Sequence, residues 1–191
     1  MLQKFPAALG AALRGRRPGP EALVSQREFG WVPDLIAVTS PAFTEGAAMP
    51  PAHTADGDGL SPALFWDSAP EGTRSIALLL EDADSPTPRP LVHLIAWNLP
   101  PCGALVEGEL NQDDSEIEPG IGRNSYLKTE FLPPDPLPGH GPHRYVFQFF
   151  ALDCPLAFEK APGRAQLIAA MRGHVLGRGS LTGTYERARR S

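Results

Sequence analysis

Cysteine is scarce in this chain. Cys102 and Cys154 are the only two among 191 residues, too few for a disulfide framework, so a reducing compartment is expected. Clustered positive charge is also missing. The formal net charge is −5, which argues against a general nucleic-acid surface, because phosphate neutralisation needs grouped Lys and Arg. The arginines that do group, Arg14, Arg16 and Arg17 near the start and Arg187, Arg189 and Arg190 at the end, read as solvated termini. No run approaches the ~18 uninterrupted apolar residues of a membrane span. The start, "MLQKFPAALGAALRGRRPGP", lacks a clear small-x-small cleavage site, and its charges follow the apolar stretch instead of preceding it. It reads as a short amphipathic helix and a linker on a soluble, cytoplasmic protein.

Proline and glycine, by contrast, are abundant at 22 and 19 residues, so long ordered connections are expected. Residues 1–30 read as an arm peripheral to the core, with helical pieces in "FPAALGAALRG" and "EALVSQRE". Residues 31–191 read as one domain. From Asp34 onward, short apolar runs alternate with turn clusters, the pattern of a mostly β fold. The clearest strands are "SIALLLED", "LVHLIAWNL" and "HRYVFQFFALD", and "SLTGTYER" reads as a last strand. "GRAQLIAAMRGHVLG" carries Leu167, Ile168, Met171, Val175 and Leu176 at helical spacing. Residues 100–142 form a long Pro-, Gly- and acid-rich connection, whose aromatics Tyr126 and Phe131 favour wrapping a site.

Polar residues interrupt these strands at their ends. Strand alternation puts Leu91, His93, Ile95 and Trp97 on one face and His143, Tyr145, Phe147 and Phe149 on one face. Asp82 and Asp84 share parity with Ile76, Leu78 and Leu80, and Arg144 falls opposite Tyr145, where a structural ion pair is expected. Each polar residue alone has an ordinary explanation: a core histidine with a hydrogen-bond partner, a turn-capping Asp, a core tyrosine. Together, at strand ends beside Pro-rich loops, they point to a small pocket with polar groups at an apolar mouth.

The segments "SPALFW", "EGTRSIALLLEDADSP", "HLIAWNLP" and "PGHGPHRYVFQFFALD", in that order between about Ala37 and Tyr185, resemble the phosphatidylethanolamine-binding protein (PEBP) family in its bacterial Raf kinase inhibitor-like branch. The family's Asp-Pro-Asp-Ala-Pro motif falls on Asp82 to Pro86 and its pocket histidine on His93. Its Gly-x-x-Pro-His-Arg-Tyr motif falls on Gly139, Pro142, His143, Arg144 and Tyr145. The resemblance implies a central antiparallel sheet with a smaller sheet and a C-terminal helix. Glu130 to Pro134 depart from the family's Gly-Tyr-x-Gly-Pro, and Leu91 replaces a common aromatic.

The resemblance implies ligand-binding residues Asp82, Asp84, His93, His143 and Tyr145, and Pro134 and Pro136 join the expected set as rim residues. His93 and His143 would donate to phosphate oxygens, Asp82 would orient His93, and Pro134 and Pro136 would stiffen the rim. The expected function is non-catalytic recognition of a phosphate- or carboxylate-bearing molecule, such as a phosphatidylethanolamine headgroup, with modulation of a partner such as a kinase. A His/Asp hydrolase is the alternative, but Ser61 and Ser85 lie in no nucleophile-elbow sequence. No catalytic residue, cofactor or metal site is assigned. Nucleic acid and an integral membrane segment are not expected, and the sequence leaves a homodimer open.

Overall fold

The computed structural model describes residues 2–111 and 120–187; Arg189 and Arg190 lie outside them. Helix α1 (Ala7–Leu13) and the short α2 (Val24–Arg27) precede β1 (Ala37–Thr39), β2 (Leu64–Asp67), β3 (Ser75–Asp82), β4 (Leu91–Leu99), β5 (Gly103–Leu105), β6 (Gly120–Ile121) and β7 (His143–Leu152). Helix α3 (Arg164–Met171) and strand β8 (Val175–Tyr185) complete the fold. A five-stranded antiparallel sheet has the order β6-β4-β3-β7-β8, and a three-stranded one the order β1-β2-β5. The fold is thus mostly β, with two antiparallel sheets.

Strand β3 explains its own sequence. It is central and covered on both faces, so all eight residues of "SIALLLED" are buried and an unbroken apolar run is what the position requires. Ile76, Leu78 and Leu80 pack with Phe147 and Phe149 toward Leu64, Trp66 and Leu105 of the small sheet. Ala77 and Leu79 face the other way, toward Val24, Phe29, Leu167, Ile168 and Met171. On that helical side the buried Glu81 accepts from Arg164 Nε (2.6 Å), Gln148 Nε2 (2.9 Å) and the Val24 amide (3.0 Å), so its charge is compensated.

The structure corrects several sequence expectations. Residues 1–30 are not all peripheral, since Val24 and Phe29 belong to the core. Helix α3 ends at Met171, and Val175 and Leu176 open β8; Gly173, with a φ of +83°, breaks the helical spacing that those residues continue. Tyr126 is exposed while Phe131 is buried. In α1 it is Gly10 that is buried, while the apolar Leu9 and the preceding Phe5 stay exposed.

The most consequential correction is on β4. Leu80 pairs with Leu94 but Glu81 pairs with Val92, so His93 is the extra residue of a β-bulge, and a bulge breaks strict alternation. Ile95 therefore packs on the helical side with Val92. The His93 ring meets Tyr145 edge-on at 5.2 Å on the other side.

Candidate functional site

The ends of β3 and β7 lie side by side because the strands are antiparallel, with Asp82 opposite Tyr145 and Leu91 on Asp82's other flank. This register brings together residues 61 positions apart. His143 Nδ1 donates to Asp82 Oδ2 at 2.7 Å, while Asp82 Oδ1 accepts the Asp84 amide at 2.8 Å. Asp82 thus caps its turn and holds a histidine at once. The histidine is His143, not the expected His93.

His143 is itself enclosed. Its Nε2 lies 2.7 Å from His140 Nδ1, and His140 Nε2 lies 2.9 Å from the Leu13 carbonyl of the N-terminal arm. Both ends of this chain are acceptors. It is satisfied when His140 is neutral with its proton on Nε2 and accepts from His143 through Nδ1. Burial, followed by the charge of His143, pushes the His140 pKa down, in keeping with that assignment. His143 therefore has no nitrogen left for a ligand.

His93 is held differently. Its Nδ1 lies 2.6 Å from the Leu132 carbonyl, which can only accept, so Nδ1 carries the proton. The Leu132 amide in turn bonds the His93 carbonyl at 2.9 Å, so the divergent rim is stitched to β4 at this residue. Burial pushes the His93 pKa below its usual 6.5, against the opposing pull of Asp82. The ring is neutral and its Nε2 presents a lone pair. Among the described residues, that Nε2 and the Tyr145 hydroxyl are buried without a hydrogen-bond partner. Burial, then the Asp82 charge, raises Tyr145 well above its usual 10, so it remains a phenol able to donate.

Both atoms belong to residues lining a cavity of about 130 Å³, whose walls include Leu2, Asp82, Leu132, Asp135, Pro136 and His143. Of the expected site residues, Asp82, His93, Pro136, His143 and Tyr145 line it; Asp84 and Pro134 do not. Asp84 accepts from Arg144 through the backbone amide (2.9 Å), Nε (2.7 Å) and Nη2 (2.6 Å), and pairs with Arg17 at 3.1 Å. Burial pushes its carboxyl up, but these donors outweigh burial and hold it at about 2. It is a scaffold anion, and Arg144 makes the structural ion pair expected of it. Pro134 offers its carbonyl to the Ala55 amide.

Sequence reasoning missed Leu2, Asp135 and His140. Asp135 and His140 were visible as polar residues set among Pro and Gly in "PPDPLPGHGPH", but such residues usually mark turns. The terminal arginines are not all solvated. Arg187 is buried, pairing with Asp56 at 2.6 Å and Asp135 at 2.7 Å. The serines weighed for hydrolysis are engaged elsewhere: the Ser61 hydroxyl accepts the Leu110 amide, and that of Ser85 pairs with Thr87. At the other end of β7, Asp153, Cys154 and His174 have ligand-type atoms within 4.8 Å of one another. There the exposed His174 and Asp153 already pair at 2.8 Å.

No helix among the described residues is long and apolar enough to cross a membrane. A phosphatidylethanolamine-binding protein family model matches residues 39–186. A UPF0098 protein of Pyrococcus horikoshii is 34% identical over 150 residues, 78% of this chain and 75% of its own. One of Chlamydia muridarum is 35% identical over 156 residues, 79% of this chain and 99% of its own. Among solved structures, a PEBP homologue of Chlamydia trachomatis matches with a TM-score of 0.73 at 33% identity, over 81% of this chain and 99% of that one. Escherichia coli YbcL, described as a member of the mammalian PEBP family, gives 0.72 at 26% identity, over 80% and 98%. Motif order, two-sheet architecture and these matches agree, and the chain belongs to the phosphatidylethanolamine-binding protein family.

Proposed function

We propose that this protein is a non-catalytic binding protein whose pocket takes a small phosphate- or carboxylate-bearing molecule. The observation that carries the reading is the pair of buried, unpartnered polar atoms, His93 Nε2 and Tyr145 Oη, on one small cavity. A buried polar atom without a partner costs free energy, and a ligand supplying both partners recovers it.

The chemistry narrows the ligand. Tyr145 offers a proton and His93 Nε2 a lone pair, while the wall carboxylates Asp82 and Asp135 are engaged by His143 and Arg187. A fully ionised phosphate would set another lone pair against that of His93. A monoanion retaining one P–O–H, or an anion that enters with a proton for His93, matches both sides: an acceptor oxygen for Tyr145 and an N–H···O or O–H···N bond at His93. The monoester phosphate of phosphorylethanolamine keeps such a P–O–H, whereas the diester phosphate of a phosphatidylethanolamine-type headgroup has none and enters with a proton taken up at His93. Modulation of a partner protein such as a kinase enters through the family resemblance alone. The two cysteines are free thiols, which supports a reducing, cytoplasmic setting.

Titration calorimetry with inorganic phosphate and phosphorylethanolamine tests this. Run near pH 7 in two buffers of different ionisation enthalpy, it should give saturable binding with net proton uptake. Binding that survives His93→Ala and Tyr145→Phe together would overturn the assignment.

A further inference from the structure

The segment that closes the pocket lies outside the family match, which begins at residue 39. Residues 2–18 run across the loop 135–142. The Leu2 amide donates to Asp135 Oδ2 at 2.8 Å, and Leu2 lines the cavity. The Leu13 carbonyl accepts from His140. Arg14 donates to the Gly139 carbonyl at 2.9 Å, and Arg17 to the carbonyls of His140 and Pro142, each at 2.7 Å.

Two glycines permit this approach. A Cβ on Gly10 would stand 2.1 Å from the Pro138 carbonyl oxygen and 2.8 Å from the His140 nitrogen; one on Gly139 would stand 2.6 Å from the Ala7 carbonyl oxygen. Glycine inside a helix is less favourable than alanine, so Gly10 weakens α1 as a free helix and fits it to one docked position. Phe5 and Leu9 meanwhile face solvent. The arm docks through backbone proximity and guanidinium-to-carbonyl bonds, not through an apolar stripe.

Building on the ligand reading above, we propose that residues 2–18 are the pocket's detachable outer wall and set its specificity. Docked, they leave about 130 Å³, well below the roughly 300–1,000 Å³ of ordinary small-molecule clefts, so a compact oxyanion of phosphate or headgroup size is accommodated and an acyl chain is not. Undocked, they open the chamber to phosphate esters with a chain attached. An open groove of about 540 Å³ adjoins it, sharing Thr87 and Leu91 and bordered by Arg89, Arg123 and Arg164, with room for such a chain.

Gly10→Ala in the full-length protein is the test, because the added methyl favours the helix and forbids its docking. Gly15→Ala is the control, since a Cβ there meets nothing within 4 Å. One readout needs no ligand: the rate of carbethoxylation of His93 by diethyl pyrocarbonate, followed by peptide mass analysis. It should rise at least tenfold in Gly10→Ala, more modestly in Arg14→Ala, and not in Gly15→Ala. A second readout compares affinities for inorganic phosphate and dihexanoyl phosphatidylethanolamine. Gly10→Ala should raise lipid affinity about tenfold and leave phosphate within threefold.

His93 labelling and lipid binding unchanged in Gly10→Ala would overturn the wall, even with phosphate binding intact. Faster labelling with no binding of either compound would support the wall and remove the ligand reading instead.

Discussion

Tyr145 separates a ligand group from a structural one. Its hydroxyl has no partner among the described residues, so Tyr145→Phe should leave the thermal stability of the free protein unchanged or slightly higher. It should also weaken phosphate binding by roughly ten- to a hundredfold, as a hydrogen bond to a charged group is worth about 1.5–3 kcal/mol. Calorimetry and thermal unfolding on the same sample check both. The ionisable residues predict the pH response. His93 is held below 6.5 by burial, so as pH falls the unfolded chain takes up its proton first. The stability tied to neutral His93 is fully present above about pH 6.5 and is lost below it. Asp84, at about 2 against 3.8, contributes fully above pH 3.8 and loses its contribution as pH falls toward 2, a change of about 2 kcal/mol. Urea unfolding at a series of pH values should show both limbs, and Asp84→Asn should flatten the lower one.

Elements decide which residues can meet. The bulge at His93 gives β4 one residue more than β3 across the same span, which turns His93 to Tyr145 while Val92 and Ile95 keep to the helical face. Alternation alone could not show this, because a bulge is defined by the partner strand. Helix α3 is anchored through Arg164 to the fully buried Glu81. Arg164→Met should destabilise the protein by about 3 kcal/mol, since losing one partner strands a buried charge. Adding Glu81→Gln should restore most of that loss, which denaturant unfolding of the double mutant will show.

For the whole molecule, the question is where the core ends. Phe29 packs on Phe150 at 5.4 Å and is 2% exposed, so Phe29→Ala should cost about 3–5 kcal/mol. Phe5→Ala, at a residue 46% exposed, should fall within about 0.5 kcal/mol. Comparing their unfolding midpoints places the division inside the first thirty residues, between an arm that rests on the loop 135–142 and a segment that belongs to the core.

The sequence by itself determined the β-rich class, the three principal strands, and the grouping of Asp82, His93, His143 and Tyr145. Apolar runs, turn residues and motif order are local properties, and strand parity carries one residue's face to its neighbours. Tertiary structure alone decided which histidine Asp82 holds, that Asp84 serves Arg144, that His140 ties Leu13 to His143, and that Gly10 lets α1 lie on Pro138. Each depends on register across strands or on backbone contact between segments more than a hundred residues apart. Composition and periodicity do not encode such distances.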